Sequence, residues 1–193
     1  MRNLYMTLLL TCGLGIATTA QCQDIPLKTV KARTIELQVP WQWKTEESPS
    51  ETRVAQLSIP ASPKNAQLVV FYFGGPTGGL KRNVDRWVGQ FYEKDLKLKI
   101  IKGESEQGRY LLVDTQGTWK RPDGPPFAQK TVTTPNSRVI NIILQQGKGP
   151  DTDYYFIKLS GHEDVISKYT ETIRTAIGAS IDKETEVKQA DLK

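Results

Sequence analysis

Residues 67–92, QLVVFYFGGPTGGLKRNVDRWVGQFY, constrain the fold most, because an apolar strand there passes through a glycine-rich turn into an amphipathic helix. The run Leu68 to Phe73 is apolar throughout and rich in β-branched and aromatic residues, which suits a strand covered on both faces. After Gly74, Gly75, Gly78 and Gly79, the residues Leu80, Val84, Trp87, Val88 and Phe91 recur at helical spacing. Lys81, Arg82, Asp85 and Arg86 take the opposite side. The stripe therefore predicts a helix returning to a sheet.

Strand periodicity surrounds this centre. Ile35, Leu37 and Val39 alternate with polar neighbours over 33–40, and Ala55, Leu57 and Ile59 do the same over 53–60. Trp41 and Trp43 follow the first of these and are expected to plug the core. Residues 95–102 read as a strand at a sheet edge, with Lys97, Lys99 and Lys102 discouraging further pairing. Buried strands are predicted over 110–115, 139–144 and 154–159, the last two forming an antiparallel hairpin. A helix is predicted over 163–177, begun by the acidic Glu163 and Asp164 and stopped by Gly178. These elements define an α+β fold, an antiparallel sheet flanked by helices.

The ends are read differently. Arg2, the apolar run from Met6 to Ile16 and the small residues Thr18, Thr19 and Ala20 have the form of a secretory signal over 1–20. That run falls well short of the roughly 20 apolar residues a bilayer requires, so no transmembrane segment is expected in the mature chain. Gln21 directly before Cys22, with no leucine three residues earlier, argues against a lipid anchor at Cys22. With Cys12 inside the signal, the mature chain has no pair for an intramolecular disulfide. The protein is expected to be exported, periplasmic or extracellular, with envelope association as an alternative. Residues 21–32 lack periodicity and read as a short leader, 33–181 as one domain, and 182–193 as a charged, frayed tail.

The formal charge of +5 comes from cations interspersed with carboxylates, so no nucleic-acid stripe is indicated. The turn that carries Gly75, Gly78 and Gly79 is a weak candidate for cradling an anion, since it lacks the Gly-Lys-Ser/Thr ending of a phosphate loop. His162, the only histidine, stands at a predicted helix start, where a local capping role is favoured over catalysis. Asp151 and Asp153 lack calcium-loop spacing, and no catalytic residue, metal ligand set or cofactor motif is proposed. Residues 116–137 hold four prolines and two glycines and are expected to form a long irregular loop. Trp119, Arg121 and Phe127 within it are the side-chain types that dominate binding hot spots, and are the candidate partner-binding residues. The alternative is that Trp119 and Phe127 pin the loop onto the sheet.

The tryptophan-containing turn after the first predicted strand, the strand RVAQLSIP, the strand YYFIKLSG with its Lys-x-x-Gly ending and the helix DVISKYTETIRTAI together resemble the PsbP-like superfamily. That superfamily includes thylakoid-lumen photosystem subunits and exported bacterial envelope proteins of the DcrB type. The resemblance covers about residues 33–181 and implies an α/β sandwich and a non-enzymatic binding or accessory role with a protein partner in the envelope. A secreted hydrolase whose site assembles only in space, or a small-ligand carrier, is the alternative.

Overall fold

The computed structural model describes residues 25–48, 50–61, 64–75, 78–124 and 129–192. The expected secretory signal, Cys12, Cys22 and Phe127 lie outside the described residues.

Strands β1 (Leu27–Ala32) and β2 (Ile35–Pro40) form a separate antiparallel hairpin. An eight-stranded sheet is built from β3 (Lys44–Thr45), β4 (Arg53–Ile59), β5 (Ala66–Tyr72), β6 (Lys97–Ser105), β7 (Gly108–Pro122), β8 (Thr131–Gln146), β9 (Asp153–His162) and β10 (Thr185–Glu186). Its spatial order is β10-β6-β7-β8-β9-β5-β4-β3, with every neighbouring pair antiparallel. Helix α1 (Leu80–Val88) covers one face of this sheet, and α2 (Glu163–Ile166) and α3 (Thr170–Ala176) cover the other. The chain is therefore α+β, with an antiparallel sheet between helices.

Alternation along the strands separates the two faces. On the first, Leu57, Leu68, Leu112, Ile140, Ile142 and Ile157 pack against Ile35 and Leu37 of the hairpin and Ile166 and Ile173 of the closing helices. Burying each of these large aliphatic side chains contributes roughly 1.5–3 kcal/mol, so this face is the main core. Arg138 grips Asp114 with two hydrogen bonds and reaches Ser167 at 2.9 Å, tying the turn between α2 and α3 to the sheet. On the second face, Ile100, Leu111, Val113, Ile143 and Phe156 receive Val84 and Trp87 of α1. This cluster reaches Phe71 of β5, and beside it Asn141, Lys158 and Ser160 make the same face polar.

Several expectations need correction. Residues 27–32, read as leader, form β1 because pairing with β2 overrides their weak periodicity and turns Val30 and Ala32 inward. Within the loop expected over 116–137, residues 116–122 and 131–137 instead form a two-stranded arm in which Lys120 pairs with Thr133 and Arg121 with Val132. A register shift between Gly117 and Trp119, with Asn136 at φ 50°, leaves Pro135 outside the ladder and so removes the obstacle its missing N–H would pose. The tail does not fray: β10 pairs with β6, Val187 N–H donates to the Ile100 carbonyl at 3.0 Å, and Leu192 is 4% exposed. Its segment covers the edge that β6 would otherwise leave open.

The predicted closing helix is broken by a tight turn over Ser167–Tyr169, and Gly178 ends it at φ 69°. There the Ala179 and Gly178 N–H groups donate back to the Arg174 and Thr175 carbonyls, an arrangement that favours glycine. Trp43 is buried against Tyr169 at 5.2 Å between ring centres, whereas Trp41 is 57% exposed. Turn geometry after Pro40 thus separates two tryptophans that an extended chain would have placed together.

At the end of β9, a Cβ on Gly161 would lie 2.8 Å from Ala66 Cβ and 3.0 Å from Ala66 Cα. Gly161→Ala is expected to cost about 1–3 kcal/mol through overpacking, read as a lowered urea midpoint with an unchanged slope.

Candidate functional site

The polar half of the second sheet face lies between α1 and β4. Lys158 interrupts the apolar run of β9 and is paired across the ladder with Asn141 of β8, so both side chains emerge on this face. Ser160 follows two residues later on the same face. Asn141 is 4% exposed and Ser160 is equally buried, yet neither side chain has a hydrogen bond among the described residues. Neither contributes to the side-chain polar atoms that are sealed from solvent without a partner, so together they make this part of the face polar.

Cations gather around them. Lys158 Nζ lies 4.5 Å from the centre of the Trp119 ring, which stacks on Phe91. From β4, Arg53 sits 5.3 Å over the Phe71 ring and donates through Nη1 to Gln56. From α1, Arg86 donates to Asn83 Oδ1 at 2.8 Å, and Asn83 Nδ2 donates to the Gly79 carbonyl at 2.9 Å. Arg82 and Arg86 are four residues apart, hence on one side of the helix. Together with Asn83, Phe73 and Phe156 they line a cavity of about 230 Å³.

Among the described residues no salt bridge joins Arg53, Arg82, Arg86 or Lys158 to a carboxylate. Burial, with the nearby charges of Arg86 and Arg53, pulls the Lys158 ammonium down to a pKa of about 8. Arg53 Nε and Trp119 Nε1 are buried donors without an acceptor among the described residues. An incoming anion on the Arg82 and Arg86 side would relieve the mutual repulsion of the cations.

A larger cavity, about 560 Å³, borders the start of α1 and is lined in part by Leu80, Lys102, Arg109, Tyr110 and Lys183. Its Tyr110 hydroxyl already donates to Glu184 at 2.7 Å, and its cations share the lining with the carboxylate of Glu104. Burial and that hydrogen bond push the Tyr110 phenol well above its usual range. The smaller recess is therefore the better candidate.

The residues singled out from sequence fall in different places. Trp119 is 5% exposed and lies against Lys158, outside the lining of the recess, while Arg121 is exposed further out on the β7–β8 arm. Gly75, Gly78 and Gly79 all adopt positive φ, as a turn into an uncapped helix requires. His162 Nδ1 accepts from the Asp164 N–H at 3.3 Å and caps α2. Among the described residues no group of three or more His, Cys, Asp or Glu side chains is placed to hold a metal ion, and no helix is long and apolar enough to cross a membrane.

Sequence reasoning missed Arg53, Arg82, Arg86, Asn141 and Lys158 as a site. A signal was available: VINIIL and YYFIKL each carry one polar residue inside an otherwise apolar strand. Comparison with protein-family models and with curated proteins gives no match to this chain.

Proposed function

We propose that this chain is an exported, non-enzymatic binding protein of the periplasm or envelope, of the PsbP-like type, and that it takes an anionic ligand on the α1 face. The observation that carries this reading is the cavity lined by Arg82 and Arg86, next to the mutually repelling charges of Arg53 and Lys158, with no salt bridge to a carboxylate among the described residues and with the polar side chains of Asn141 and Ser160 on the same face. Such a set of donors recognises charge and oxygen acceptors, and its position between a helix and a sheet is a usual place for a small-ligand recess. The antiparallel sheet between helices agrees with the architecture of PsbP-like proteins. Its protein partner in the envelope would meet the β7–β8 arm, where Arg121 and Val132 are exposed.

Thermal unfolding at constant ionic strength tests the reading, with chloride replaced in turn by phosphate, sulfate and benzoate. At least one of these anions is expected to raise the melting temperature by a few degrees in the parent protein and not in Arg86→Gln or Lys158→Met. Excluded-solute effects of sulfate and phosphate would persist in all three proteins, so equal shifts in parent and variants would contradict a specific site.

A further inference from the structure

We propose that the recess binds the phosphoryl group of a small phosphate monoester, with the ester's apolar body lying against Phe73 and Phe156. This rests on the anionic-ligand reading above and narrows it to one chemical class.

Charge and donor supply both favour a phosphoryl group over a carboxylate. A monoester brings close to two negative charges and three terminal oxygens, against one charge and two oxygens for a carboxylate. The recess is lined by Arg82 and Arg86, and behind its lining stand Arg53 and Lys158, whose charges act on one another and on Arg86, with no salt bridge to a carboxylate among the described residues. Guanidinium groups match phosphate oxygens in pairs, and a lysine supplies a compact charge beside them. The apolar wall is continuous: Phe71 stacks on Phe73 at 6.1 Å, and Phe73 meets Phe156 edge-on at 5.6 Å. A bare inorganic ion would leave that wall unused.

Lys158 makes binding depend on pH in a distinctive range. The groups around it are Arg53 from β4, Val69 from β5, Arg86 from α1, Trp119 from β7 and Asn141 from β8. None is an anion. Its proton is weakly held in the free protein and is retained when a phosphoryl dianion arrives. A monoester has its second pKa near 6, so from pH 8 to 10 the ligand charge is constant and a change in affinity reports the protein.

Calorimetric titration of the full chain with phenyl phosphate, inorganic phosphate and benzoate, at low salt and pH 7, 8 and 9.5, tests this. Phenyl phosphate is expected to bind at least about tenfold more tightly than either other compound, to weaken about tenfold between pH 8 and 9.5, and to be bound with proton uptake in that range. Lys158→Arg, which keeps the charge, should hold its affinity constant over the same range, and Arg86→Gln should lose at least about tenfold at pH 7. Circular dichroism of both variants establishes that they are folded. Benzoate binding as tightly as phenyl phosphate would overturn the phosphoryl assignment and leave the anionic-ligand reading standing. Inorganic phosphate binding as tightly would overturn the monoester, and failure of all three anions to bind would overturn both readings.

Discussion

Replacing Lys158 with methionine is expected to make the protein more stable at pH 7, by roughly 1–2 kcal/mol, while removing its affinity for anions. The sign follows from linkage. The folded-state pKa of about 8 lies below the ordinary lysine value of 10.5, so between those values the unfolded chain binds more protons than the folded one. Stability contributed by this group therefore rises as pH climbs from about 8 to 10.5, and below 8 the folded protein carries the full cost of a half-buried ammonium facing Arg53 and Arg86. Methionine keeps the length of the side chain and its contact with the Trp119 ring without the charge. Urea unfolding of both proteins at several pH values isolates the effect, because all other titrating groups are shared. Their difference should be largest at pH 7 and shrink toward pH 10.5. A methionine variant less stable than the parent at pH 7 would mean that Lys158 is compensated and that the recess is not short of an anion.

Trp119→Ala is expected to have the largest effect on the fold, about 3–5 kcal/mol of lost stability. Its ring is stacked on Phe91 with centres 6.3 Å apart, carries Lys158 on its face, and anchors the base of the β7–β8 arm. Around it, the segment 90–92 is stitched to the arm by Tyr92 N–H to the Thr118 carbonyl at 3.0 Å and Lys120 N–H to the Gln90 carbonyl at 2.7 Å. Removing the ring leaves a cavity where three segments meet, so hydrogen exchange should quicken in 117–122 and 131–137 as global stability falls. Arg121→Ala, at an exposed position further along the same arm, should change stability by less than about 0.5 kcal/mol. A Trp119→Ala protein within about 1 kcal/mol of the parent in urea would contradict this packing role.

These two tryptophan and lysine positions show what could be read from the chain alone. Apolar alternation identified most strands of the sheet and the core-facing side of α1, because burial of one face imposes period two on strands and period 3.6 on helices. Residues 27–32, 117–122 and 131–134 were not legible in that way. Their pairing is dictated by a neighbouring strand, β2 in one case and the opposite limb of the arm in the other, rather than by their own pattern. Prolines 122 and 135 suggested a loop, yet one stands at a strand end and the other in a register shift, the two places where a strand tolerates proline. The recess was harder still. Arg53, Arg86 and Lys158 are separated by long stretches of chain and read individually as solvated charge, and only the register of β8 with β9 brings Asn141 beside Lys158. The glycine turn that drew attention as an anion cradle delivers α1 to the sheet, and thereby sets Arg82 and Arg86 over the recess.

The Trp119 indole N–H resonance, followed by heteronuclear NMR as phenyl phosphate is added, tests the central claim most directly. Trp119 Nε1 is a buried donor without an acceptor among the described residues, in a ring that Lys158 covers. A saturable shift of that resonance, accompanied by the backbone amides of Asn141, Lys158 and Ser160 and absent in Arg86→Gln, is the predicted result. Shifts confined to exposed lysines or to Gly75, Gly78 and Gly79, with the Trp119 resonance unmoved at saturation, would contradict it.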